Sequence, residues 1–235
     1  MTARASHIAD LARAFGVSLA GPDAMVRAVV PDLVSRPTLD EIVALYRDDA
    51  RFYHHAWHLH DLFDRAERNG LRLVREQQAA LLFHDAVYVP GAPSGENEAN
   101  AARLLRQWEP RMAPLDTQAA AAIILDTSDH VPRWPLSATV CDLDLAPLAD
   151  DADRFAFYGE LVYLEYRHLL IDPQAPTAST AGAPPAAEAH ARRRFGLQRR
   201  AFLLELARRP ALFSARMAHL EAAARGNIAA YRPPS

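Results

Sequence analysis

The run Ala79-Ala80-Leu81-Leu82-Phe83, closed by His84-Asp85, constrains this chain more than any other stretch. Five consecutive apolar residues, in a helical pattern spanning residues 72–87, describe a helix that is buried on all sides. Burial then carries an imidazole and a carboxylate into the interior at the helix end. Such groups cost several kcal/mol there unless something pairs with them. A metal ion is one partner of that kind.

Candidate ligands flank the pair. Upstream lies Tyr53-His54-His55-Ala56-Trp57-His58-Leu59-His60, and downstream Asp142-Leu143-Asp144. On a helix from about His54 to Arg68, His54 and His58 share a face, whereas His55 and His60 point elsewhere. His84 and Asp85 are about 100° apart on a helical wheel, so both reach one point only beyond the helix end. Asp142 and Asp144 cannot share a helix face, so at most one of them joins the set. Two imidazoles and two carboxylates suit a divalent ion of the series Mn, Fe, Co, Ni, Zn or Mg, with water filling open positions. Such an ion lowers the pKa of a bound water and polarises a phosphoryl oxygen. A nearby histidine that does not bind it can protonate the leaving oxygen.

The rest of the chain reads as helices. Ile8, Leu11 and Phe15 line a short one ended at Gly16. Thr38 and Glu41 form a capping box after Pro37, followed by Leu39, Ile42, Val43 and Tyr46 at helical spacing. Asn69-Gly70 stops the histidine-bearing helix. Further helices start at Glu96, at Asp116 or Thr117, near Ser137 and at Asp151, and two more span about 188–208 and 211–225. No strand alternation appears. The expectation is an all-α fold of eight or more helices, with residues 1–36 as an extension packed on a helical domain of 37–235. Residues 172–187 are low in complexity and read as a flexible loop.

Composition excludes several functions. A single cysteine, Cys141, rules out an internal disulfide and a Cys-rich zinc site. A net charge of −3 gives no bulk attraction to nucleic acid, although all 26 cationic residues are arginine. No run of about 18 apolar residues predicts a membrane span, and the N-terminus lacks a signal-peptide core. A cytoplasmic location is expected, and the sequence bears no mark of oligomeric state. The bland expectation makes His55, His60, His168, His190 and His219 surface or loop residues. It also makes Arg192-Arg193-Arg194 with Arg199-Arg200 a solvated helix face, and has Glu165 and Asn227 tie the last helices to the core.

The order His58 … His84-Asp85 … Asp144 resembles the H…HD…D motif of the HD-domain metal-dependent phosphohydrolase superfamily. Arg51-x-Tyr53-His54-x-x-x-His58-Leu59, Phe83-His84-Asp85-Ala86-Val87-Tyr88, Asn97-Glu98, Thr127-x-x-His130 and Asp142-Leu143-Asp144-Leu145 together resemble a branch of predicted bacterial HD phosphohydrolases. Glu165-Tyr166 and Ala224-Arg225-Gly226-Asn227 extend the likeness to about residues 40–230. Tyr53-His54-x-x-x-His58 is also similar to the Tyr-His-Asn-x-x-His motif of cyclic-nucleotide phosphodiesterases, with His55 in place of the Asn. The resemblance implies an all-helical HD fold that binds one divalent ion through His58, His84, Asp85 and Asp144. In it His54 is the general acid, Glu98 orients the attacking water, and Asn97 or Arg51 contacts substrate. His130 binds substrate phosphate or contributes to a second metal. The implied substrate is a nucleotide or another small phosphorylated metabolite. The alternatives are a non-catalytic, metal-containing nucleotide-binding module and, ranked lower, a diiron oxygenase.

Overall fold

A computed structural model describes residues 3–19, 21, 25, 28, 32–172 and 184–234. Among the described residues ten α-helices have assigned bounds: α1 Ala3–Ala14, α2 Arg36–Leu45, α3 Ala56–Arg68, α4 Arg75–Phe83, α5 Glu96–Trp108, α6 Thr117–Asp126, α7 Ser137–Leu145, α8 Ala152–Ile171, α9 Pro185–Ala207 and α10 Glu221–Ala230. No strand occurs among the described residues, and the only β contact there is an isolated bridge between Val34 and Met112. The fold is the all-α bundle expected. No helix among these residues is long and apolar enough to cross a membrane.

Helix α4 is the axis of the bundle, packed against α3, α5, α6 and α7. Its apolar run explains this, since Ala79 through Phe83 are all sealed from solvent. The helix is shorter than the 72–87 pattern suggests. It begins after Val74, whose backbone N–H donates to the Gln77 side chain, and its last helical residue is Phe83. His84 and Asp85 therefore sit in the turn beyond, where adjacent side chains can diverge less than on a helix wheel.

Other helix starts follow their caps. The start of α2 is set by Ser35, not by a Thr38–Glu41 box: Ser35 Oγ accepts from Thr38 N, and Glu41 pairs with Arg111. Asp116 caps α6 and Asp151 caps α8 through their carboxylates. Helix α1 ends at Gly16, whose φ of +68° suits glycine. Ile8 and Ala12 of α1 pack on Phe52, Trp57, Phe157, Tyr158 and Leu161.

Two C-terminal expectations change. The expected flexible loop at 172–187 falls largely on residues 173–183, which lie outside the described residues, while 185–187 already belong to α9. The last helix starts at Glu221 rather than near 211. The Glu221 carboxylate accepts from the backbone N–H groups of Leu212 and Phe213 and holds 211–217 as a turn.

Between α3 and α8 lies a buried ionic lattice that the sequence pattern did not announce. Arg65 donates to Asp61 at 2.6 Å and makes a forked pair with Asp150, while Arg154 donates to Asp61 at 2.9 Å and to the Tyr158 hydroxyl. It locks the two helices that carry His58 and Glu165.

Candidate metal centre

Four segments converge at the end of α4. His58 comes from the first turn of α3, His84 and Asp85 from the turn after α4, Asp144 from α7, and His130 from the loop after α6. His58 and His84 are 0% and 1% exposed. One nitrogen or oxygen from each of His58, His84 and Asp144 falls within 4.8 Å of the others, so these three could hold a metal ion. Among the described residues no other such group converges in this way.

The detailed geometry favours that use. His84 Nδ1 lies 3.0 Å from the Leu81 carbonyl, which can only accept, so the ring donates there and turns Nε2 toward the cluster. His58 Nε2 is 3.5 Å from Asp144 Oδ1 and 3.8 Å from Asp85 Oδ2, and His84 Nε2 is 3.9 Å from Asp144 Oδ1. His84 Nε2 and Asp85 Oδ2 are 2.9 Å apart but out of line for a hydrogen bond. Both Nε2 atoms are thus buried without a hydrogen-bond partner. Ligands about 2.1 Å from one ion stand roughly 3.4 Å apart in a tetrahedron, close to these separations. Buried nitrogens left unbonded beside carboxylates fit donors arranged around an ion, not donors paired with acceptors.

The electrostatics agree. Burial opposes charge on His84, but Asp85 and then Asp144 outweigh it and raise the imidazole to about 9. Burial would raise Asp85, yet His84 and then His54 hold it below the usual carboxylate range. Asp144 is likewise held well below that range against burial, chiefly by His130. His130 Nε2 lies 3.0 Å from Asp144 Oδ2. His130 adopts φ +54°, a left-handed backbone rare outside glycine. Arg209 pins this turn by donating to the carbonyls of Asp129 and His130.

His54 is not on α3, as a His54–Arg68 helix would have it. It lies in the bend before it, and its ring centroid is 6.0 Å from that of His58. Glu165 of α8 explains the placement. Its Oε2 accepts from the backbone N–H groups of Phe52, Tyr53 and His54, and its Oε1 lies 2.5 Å from His54 Nδ1. Tyr88 stacks on the imidazole at 3.7 Å. Burial works against a charged His54, but Glu165 and Asp85 raise its pKa overall. Glu165 was expected only to tie helices together. The missed signal was an acidic residue flanked by apolar and aromatic ones, Leu161-Val162-Tyr163-Leu164-Glu165-Tyr166.

Two expected substrate contacts take other roles. Arg51 is buried and donates to the carbonyls of His54, Asp85 and Ala86, fastening the bend to the turn after α4. Asn97 clasps the backbone of Val89 through both amide atoms. Asp142 accepts from Ser214 N and Oγ and faces away from the cluster's partners, which leaves Asp144 as the acid of this pair in the site. His55, His60 and His168 are buried, not superficial, whereas His190 and His219 are exposed. Burial and then Arg47 push His60 down to about 4. Asn227 does tie α10 to the core, donating to the carbonyls of Leu148 and Asp150.

The cluster opens into a cleft of about 490 Å³. His54, Asp85, Glu98, His130 and Asp144 line it, with Tyr53, Tyr88, Tyr158 and Phe202 among its rings. Burial, reinforced by Asp85, raises the Glu98 carboxyl. No family model, no curated protein and no solved structure matches the chain.

Proposed function

We propose that this chain is a divalent-metal-dependent phosphohydrolase of the HD type, acting on the phosphate ester of a small metabolite such as a nucleotide. The observation that carries the reading is the pair of buried, unbonded Nε2 atoms of His58 and His84, set against Asp144 and Asp85 in the floor of a cleft. His58, His84 and Asp144 would hold the ion, with Asp85 beside them. A divalent ion bound there supplies an acidified water and a polarised phosphoryl oxygen.

The surrounding residues divide the remaining tasks. His54, held at Nδ1 by Glu165, lines the cleft and can give a proton to the leaving oxygen. Glu98, half-buried in the first turn of α5 and lining the cleft, can accept a hydrogen bond from the attacking water. His130 steadies Asp144 through its second oxygen. His130 is engaged in this way, and the described residues offer no second converging cluster, so a one-ion site is favoured over a diiron one.

The test is to purify the protein with Mn, Co or Ni, measure bound metal, and screen phosphomonoesters, phosphodiesters and nucleotides. Metal uptake with turnover that is lost in Asp85→Ala is the expected result. Metal uptake without turnover, with tight nucleotide binding, would instead favour a regulatory module. No metal uptake at all would sink the reading.

A further inference from the structure

Arg199 of α9 is the only lysine or arginine among the residues lining the cleft. Unlike Arg193, Arg194 and Arg200 on the same helix, it is not an exposed residue. Other arginines that are not exposed are engaged. Arg65 and Arg154 pair with Asp61 and Asp150, Arg192 pairs with Glu160, and Arg51 holds carbonyls. Arg199 makes no ion pair among the described residues, and its Nε is buried without a hydrogen-bond partner.

Aromatic faces hold it instead. Its Cζ lies 5.6 Å from the Phe155 ring centroid and 5.9 Å from that of Tyr231. Gly159 of α8 lies beside it, where a Cβ would stand 3.6 Å from Nε, in ordinary van der Waals contact. Burial lowers the guanidinium pKa, with Tyr231 and Tyr53 acting the other way. Ring faces engage the flat sides of a guanidinium and leave its in-plane N–H donors available. A desolvated cation without a counter-charge is costly, and a cleft is where a ligand can supply that charge. The contacts of Arg199 lie on α8 and the C-terminal segment, apart from the residues that gather around Asp144.

We propose that Arg199 is an oxyanion anchor, holding a second anionic group, phosphate or carboxylate, of a substrate whose scissile phosphate lies at the His58–His84–Asp144 cluster. The second half rests on the hydrolase reading, whereas the anchor does not. The fork of donors matches either oxyanion, and the aromatic rings lining the same cleft can take the apolar or planar body of the molecule.

The experiment uses the full chain stripped of metal with a chelator. Inorganic phosphate, pyrophosphate and succinate are titrated at constant ionic strength, followed by calorimetry and thermal shift. Saturable binding by the wild-type chain is expected, weakened tenfold or more in Arg199→Gln, partly kept in Arg199→Lys, and unchanged in the exposed control Arg200→Gln. Preference for phosphate or for succinate identifies the anion. Absence of saturable binding, or Arg199→Gln binding like wild type, overturns the proposal. Should Arg199→Gln fail to fold, phenylglyoxal labelling of wild type decides: slowed labelling of Arg199 by the anion supports the anchor, and unchanged labelling overturns it. Arg199-dependent binding in a chain that takes up no metal would keep the anchor and remove the hydrolase. Metal uptake and turnover with Arg199→Gln binding unaltered would do the reverse.

Discussion

His54 meets Glu165 through Nδ1, stacks on Tyr88 and lies in the cleft, while His58, four residues on, is sealed in the cluster. The two imidazoles thus have separable roles. Replacing His54 with Gln should leave metal content intact and lower turnover of a phosphate ester by about 10²–10⁴, read by metal analysis beside steady-state kinetics. As an acid His54 must be protonated, so activity should fall as pH rises through its raised pKa. Glu165→Gln removes a charge that raises it, and the alkaline limb of the pH–rate profile should move to lower pH. A limb that stays in place in that variant would deny His54 the role. His84 gives a second pH prediction. In the metal-free chain its imidazole is raised to about 9, with burial opposing and Asp85 and Asp144 prevailing. Below that pH an incoming ion must displace its proton, so metal affinity should climb about tenfold per pH unit from neutrality toward 9. Calorimetry in buffers of different ionisation enthalpy should show proton release, and an affinity flat in pH would contradict this.

At the scale of elements, α3 and α8 are joined by the lattice of Asp61, Arg65, Asp150 and Arg154. Asp61 is fully buried between two arginines. Asp61→Ala leaves both cations short of a partner and should destabilise the fold by about 3–5 kcal/mol, measured by urea unfolding. A loss within 0.5 kcal/mol would show the lattice to be inert. The helices themselves were legible where apolar spacing and caps agree, as in α6 and α8. His84, Asp85, His58 and Asp144 were legible because a buried polar residue stands out from an apolar run. What lay hidden depends on contacts distant in sequence. The pull of Glu165 takes His54 off the helix, and Glu221 turns 211–217 into a loop. Arg51 and Asn97 looked like ligand contacts because a polar residue that clasps backbone and one that meets substrate share the same local sequence. Arg199 was hidden for the opposite reason, as one arginine in a run where Arg193, Arg194 and Arg200 are exposed.

For the whole molecule the site acts as a junction. Its three converging residues come from α3, the turn after α4, and α7, brought together only by the native packing of those helices around α4. An unfolded chain holds these side chains far apart and binds an ion weakly, so binding is linked to folding. At a free metal concentration a hundred times Kd, the native state gains about 2.7 kcal/mol. For a chain of this size each kcal/mol moves the midpoint by about 2–4 °C, so the gain amounts to roughly 5–10 °C. The metal-stripped protein should therefore remain folded, since its core of apolar helices does not include the ion, and should show a Tm that rises with the logarithm of Mn, Co, Ni or Zn concentration. Asp144→Asn should abolish the rise and also lower the metal-free Tm, because the carboxylate that His130, His58 and His84 surround is then gone. A rise that survives in Asp144→Asn would mean that the ion binds elsewhere, and a rise absent from wild type with every one of these ions would mean that the four segments meet for packing alone.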